Sequence, residues 1–182
     1  MHHPCQARLA GWLAGWLAGW LAMLFGDWNS HRVGTDFAWE NYADRAFVAN
    51  RTYEEADHRR TDVRPDRELL AACYVEIARH AAQYLGRAGA LNATAGYRDH
   101  PGRPSGPGYC IDRGYLSAEL APALVDFAVC DTPDLRRMSD HLPLMAAFDT
   151  DELRTILWRR AEVYVPHDTS LATADEQGPT CT

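Results

Sequence analysis

The chain contains no lysine. All 18 basic residues are arginine, set against 25 acidic residues among 182, which gives a formal charge of −7. The bias reads first as one of composition, although Arg grips phosphate through two parallel hydrogen bonds where Lys offers a point charge. An acidic balance excludes a general nucleic-acid coat, which needs a broad basic surface to neutralise phosphates. It leaves room for an enzyme with a local electropositive cleft, above all one completed by a divalent cation. Any C-x-x-C pair is also missing. The five cysteines (Cys5, Cys73, Cys110, Cys130 and Cys181) are scattered, as are the histidines, so no zinc-ligand spacing exists. An odd number of separated thiols suits a reducing compartment better than a disulfide scaffold, and the thiols are expected to act as small buried hydrophobes. What is present is an ordinary globular composition, 47% hydrophobic, in a chain long enough for one domain with a real core.

Charge is absent from residues 9–26, where the unit Ala-Gly-Trp-Leu recurs. One reading is a membrane or signal segment, with Arg8 and two histidines ahead of it. Against it, Gly and Trp recur every four residues, and no small-x-small cleavage site precedes Asp27. The preferred reading is a helix over residues 6–20 turning into a short strand over residues 21–25. It makes the protein cytoplasmic, with a secreted or membrane-anchored protein as the alternative.

A polar loop region is expected over residues 30–65, and its charged centre, residues 54–60, reads as a solvated face. His58 and Asp62 there have the look of ligands, but surface positions explain them as well. One helix is expected from Asp66 to a stop at Gly86. Asp66 and Glu68 suit its first turn, and Leu69, Leu70, Cys73, Ile77 and Leu85 form its apolar face. His80 falls on its surface. Residues 96–108 form a Gly-, Pro- and Arg-rich loop. Strands are expected over residues 109–116, 125–130 and 144–148, then a helix over residues 151–163 capped by Thr150. Beyond Pro166 the chain is small and polar, and disorder is expected.

Three short pieces carry chemistry. Gly26-Asp27-Trp28-Asn29 follows an apolar run. Ile111-Asp112-Arg113 lies within a strand-like segment. Ser139-Asp140-His141-Leu142-Pro143 precedes the apolar run Leu144-Met145-Ala146-Ala147-Phe148. Each sets an Asp at the end of, or within, a hydrophobic run, where a sheet can hold it rigidly. Taken singly each can be a plain turn, since Asp and Asn readily bond their own backbone.

In this order the three pieces resemble the C-terminal half of the endonuclease/exonuclease/phosphatase superfamily, the deoxyribonuclease-like metal-dependent phosphoesterases. That family's Gly-Asp-x-Asn, Ile-Asp-Tyr/Arg and Ser-Asp-His-x-Pro match Gly26 to Asn29, Ile111 to Arg113 and Ser139 to Pro143. The resemblance implies an α/β fold, part of a four-layer α/β/β/α sandwich, mainly its C-terminal sheet and helices. Nothing in the chain matches the early Asn and metal-binding Glu of relatives, so the N-terminal half appears absent; His2 or His3 is a poor stand-in for an upstream histidine. Residues 1–150 would be the partial domain, 151–165 a C-terminal helix and 166–182 the tail.

The resemblance further implies a metal-dependent hydrolase of phosphate mono- or diesters, nuclease-like. Hydrolysis of such an ester needs a positioned water, a base and positive charge to meet the developing negative charge. Asp27 would orient and help activate the water, and Asn29, on the same side of an extended segment, would donate its amide to a phosphate oxygen. His141, which titrates near neutral pH, would contact the phosphate or share the proton transfer. Asp112 in relatives orients a second histidine. Asp140 would bind Mg²⁺, or Mn²⁺ in its place, as a hard oxygen ligand. Arg98 and Arg103 could meet substrate phosphate. The partners implied are a phosphate ester, DNA among the choices, and a second copy of the chain covering an exposed sheet. The alternative is a truncated, inactive remnant that at most binds phosphate or partners. Two departures from the family pattern are Cys110, where many relatives have Arg, and Gly114, which is expected to loosen its strand by roughly 0.5–1 kcal/mol.

Overall fold

The computed structural model describes residues 21–35, 37–96 and 108–164. The helix expected over residues 6–20, His2, His3, Cys5, Arg98, Arg103, Cys181 and the tail lie outside these. The described chain runs through β1 (Met23–Asp27), α1 (Arg45–Arg51), β2 (Thr52–Glu55), β3 (His58–Thr61), α2 (Arg64–Ala71), β4 (Tyr74–Glu76) and α3 (Ile77–Tyr84). It continues through β5 (Asp112–Ser117), β6 (Leu124–Val129), α4 (Pro133–Met138), β7 (Leu144–Phe148) and α5 (Thr150–Tyr164). No described helix is long and apolar enough to cross a membrane.

The architecture is mixed α/β with small antiparallel sheets: β1-β5-β4, the β2-β3 hairpin and the β6-β7 pair. The two facing sheets of a complete four-layer sandwich are not seen among the described residues. β5 is the axis of the largest sheet, with Arg113 to Ser117 all buried. Ile77, Ala81, Leu116, Leu120, Leu124, Phe127 and Ile156 form the main core, in which α3 covers β5 and β6 and α5 packs on the 3-10 segment Ala118–Ala123.

Two expectations fail for tertiary reasons. The single helix over residues 66–85 is broken at Cys73, whose φ of 63° lies in the left-handed region, and β4 stands in its middle. Tyr74, Val75 and Glu76 pair with Ser117, Leu116 and Tyr115 of β5. Satisfying that strand edge outweighs the helical period of the apolar residues. The loop expected over residues 30–65 contains α1 and a hairpin. Asp44 accepts from the Phe47 backbone N–H at 3.0 Å and starts α1. Ala56 and Asp57, at φ 48° and 64°, form the two-residue left-handed turn whose twist suits a β-hairpin. Asp62 is buried and bonds Arg64, so it is not the surface residue expected.

Smaller corrections follow from packing. Gly114 has a packing reason in β5 beside its backbone cost. A Cβ there would lie 2.6 Å from the Phe25 ring and 2.9 Å from Ile77, so glycine is what lets Phe25 lie across its β5 partner. The free thiols Cys73, Cys110 and Cys130 are exposed or half-buried rather than core hydrophobes. Asp149 rather than Thr150 caps α5, accepting from the N–H groups of Asp151 and Glu152 at 2.9 Å each.

Candidate active site

The site begins at one end of the β1–β5 ladder, where Asp27 stands opposite Asp112. Trp28 extends this pairing by one bond, its N–H donating to Ile111 O at 3.0 Å. Its indole packs edge-on against Tyr115 and donates to Arg113 O at 3.2 Å. The chain then turns. Asn29 has φ 45°, so it does not continue an extended segment as expected. Its backbone N–H donates to Asp27 Oδ1 and its side-chain amide to Asp27 Oδ2, both at 2.9 Å. The Gly-Asp-x-Asn motif is therefore an Asp-centred turn that also fixes the Asp27 carboxylate.

His141 reaches the same place from a loop far along the chain. Ser139 Oγ accepts from the His141 backbone N–H at 3.0 Å, which shapes the turn. Leu142 anchors it: the side chain is buried, and its N–H donates to Thr94 O at 2.7 Å. Thr94, buried and not foreseen from sequence, is the common bracket. Its Oγ1 accepts from the N–H of Asp112 at 2.9 Å and of Ile111 at 3.2 Å, so one residue holds both the head of β5 and the histidine loop. Nothing in Asn92-Ala93-Thr94-Ala95 distinguishes it from an ordinary loop.

The outcome is a close contact: His141 Nδ1 lies 2.9 Å and 3.0 Å from the two Asp112 carboxylate oxygens. Among the described residues the histidine that Asp112 holds is His141 itself, which leaves Nε2 as the nitrogen turned to a ligand. Burial lowers the affinity of the imidazole for its proton. The Asp112 bond and charge, with Asp27 and Asp140, outweigh that and raise the His141 pKa above its ordinary value.

Asp27, Asp112 and His141 each offer one ligand atom, all within 4.8 Å of one another, a grouping that could hold a metal ion. Asp140, the expected metal ligand, is exposed and outside this group; its backbone O accepts from Gly96 N–H at 2.9 Å. A hard cation such as Mg²⁺ takes one or two carboxylates and keeps several waters. The two carboxylates here fit that donor chemistry, while the imidazole, bound to Asp112, does not add a hard ligand.

Behind the site lies a buried ionic network that sequence reasoning missed. Asp112 and Arg113 are neighbours on β5, so they face opposite ways. Arg113 points into the core, where Nη2 donates to Ser30 Oγ at 2.6 Å and Nη1 lies 3.4 Å from Asp66. Asp66 also accepts from Tyr115 Oη and from the Val33 N–H, each at 2.6 Å. Arg32 forks onto Glu76 at 2.8–3.0 Å. Together these bonds tie the segment after Asn29 to α2, β4 and β5. Asp66 stands in the first turn of a helix as expected, α2, and also joins Arg113, Tyr115 and Val33.

No family model matches the chain, and no curated protein matches its sequence. Among solved structures it is similar to an AP endonuclease from Archaeoglobus fulgidus, with a TM-score of 0.50 and 20% identity. The likeness is one of fold. It covers 79% of this chain and 53% of the other, so the chain spans about half the length of that structure.

Proposed function

We propose that the chain is a metal-dependent hydrolase of phosphate esters, nuclease-like, built on part of the endonuclease/exonuclease/phosphatase sandwich. The observation that carries this reading is the Asp112–His141 contact at 2.9 Å beside Asp27, in a fold similar to that of an AP endonuclease. In it residues 1–150 form the partial domain, 151–165 the C-terminal helix and 166–182 a tail. Asp112 sets the tautomer and orientation of His141, whose Nε2 then meets the phosphate or carries a proton. Asp27, held by Asn29, orients the attacking water. Asp27 and Asp112, with Asp140 at the rim, would hold a divalent cation, Mg²⁺ or Mn²⁺. When bound, such an ion supplies Lewis-acid charge to the phosphoryl oxygens. Arg98 and Arg103 would meet the substrate from the loop before β5. Substrates are phosphate esters, DNA among them, and a second copy covers the apolar face that Met23 and Phe25 expose on β1.

A second reading, a module that binds phosphate without turnover, draws on one observation. Both Asp27 oxygens are already occupied by Asn29. One experiment separates the two: hydrolysis of plasmid DNA and of a generic phosphodiester with and without Mg²⁺, by wild type, Asp27→Ala and His141→Ala. Turnover that needs the metal and both side chains supports the hydrolase. Folded protein that binds phosphate without turnover supports the module. Unchanged turnover in His141→Ala refutes the site.

A further inference from the structure

Arg51 ends α1, and its guanidinium carbon lies 4.0 Å above the centre of the Phe47 ring and 6.0 Å from that of Tyr109. The two rings are themselves 5.4 Å apart and form a wall that fixes the cation. Tyr109 is paired with Ala95, the residue that also bridges to His141, so the wall and the histidine loop share one support. Among the described residues no carboxylate forms an ion pair with Arg51, and its Nε is buried with no hydrogen-bond partner. The charges of Asp27, in the site, and of Asp44 act on it without forming an ion pair. Taking a cation partly out of water without a counter-charge is costly. Ten of the other described arginines each pair with a carboxylate, among them Arg32, Arg64, Arg79 and Arg113 within 3.4 Å.

We propose that Arg51 is a phosphate-binding residue of this site, its guanidinium donating to a non-bridging oxygen of the ester held between Asp27 and His141. The assignment rests on the phosphoesterase reading and deepens it. A planar donor fixed on aromatic faces loses little freedom on meeting an oxyanion, and charge-assisted bonds of this kind are the strong ones. The anion supplies the paired counter-charge that no described carboxylate gives Arg51.

The test uses inorganic phosphate as the probe. In intact wild-type protein, phenylglyoxal modification of Arg51, followed by peptide mass spectrometry, is expected to slow when phosphate is present. Arg51→Gln is expected to raise the phosphate inhibition constant and the KM for a phosphodiester by roughly 10- to 100-fold. Arg51→Lys should recover much of that loss, which a purely packing role would not predict. Unaltered modification by phosphate, or unchanged constants in a folded Arg51→Gln that still turns over, overturns the proposal and leaves the phosphoesterase reading in place. A wild type that neither binds phosphate nor cleaves a phosphodiester ends that reading, and the role of Arg51 with it. Should Arg51→Gln fail to fold, the protection result in wild type decides.

Discussion

Acidification below pH 6.5 is expected to unfold this protein in a way that one residue, His31, makes measurable. His31 is 2% exposed among aromatic rings, with centroids of Phe37 at 4.8 Å, Trp39 at 5.6 Å and Tyr109 at 6.1 Å. Its Nε2 is buried without a hydrogen-bond partner. Burial above all, then the charges of Arg113 and Arg51, against a smaller opposing pull from Asp62, lower its pKa from 6.5 to about 4. The folded state therefore holds His31 neutral where the unfolded chain would protonate it. Stability from this group is fully present above pH 6.5 and is lost as pH falls through that value toward 4. A gap of about 2.5 pH units, at about 1.4 kcal/mol for each, makes the full loss about 3.5 kcal/mol. Carboxylates add their own acid sensitivity, so the assay is a difference: urea unfolding of wild type and His31→Phe at pH 7 and at pH 4.5. Phe keeps an aromatic ring in the cluster and removes both the titration and the unpartnered nitrogen, whose burial costs about 1–3 kcal/mol. The variant should gain on wild type by about 2.5 kcal/mol between the two pH values, most of the full loss. A stability gap that is the same at both would refute the reasoning.

Three other outcomes are expected. Asp112→Asn removes the carboxylate that holds the His141 pKa up, so any rate limb set by neutral imidazole, lying above pH 6.5 in wild type, should move to lower pH; a pH–rate profile checks it. Gly114→Ala should cost about 1–3 kcal/mol, because its Cβ meets the Phe25 ring, and Phe25→Ala in the same chain should relieve part of it; thermal unfolding of the single and double variants reads the coupling. Asp66→Ala leaves Arg113 buried without its carboxylate and should cost about 3–5 kcal/mol in urea unfolding, with a slope in denaturant unchanged if the fold is kept.

The local signals in this chain were enough for several elements and for the chemistry of the motifs. The β7 strand at Leu144–Phe148 and the helix after Asp149 follow from an apolar run and an acidic first turn, both of which act over a few residues. Asp27, Asn29, Asp112 and His141 could be picked out because acids and imidazole stand beside hydrophobic runs. Their joint geometry could not. That Asp112 holds His141 depends on Thr94 bracketing a loop to a strand, with 29 residues separating the two partners. The helix broken at Cys73 shows the same limit, since helical spacing of apolar residues was overruled by an open edge of β5 that needed Tyr74 to Glu76. Arg113, read as part of a motif, turned out to be a buried ion because strand alternation sends it away from Asp112. Sequence by itself determined which residue types can do chemistry and where short elements start, since these depend on side-chain identity and neighbours in the chain. Tertiary structure alone decided which of them meet, because hydrogen bonds and buried ion pairs form between groups that only packing brings within 3 Å or so.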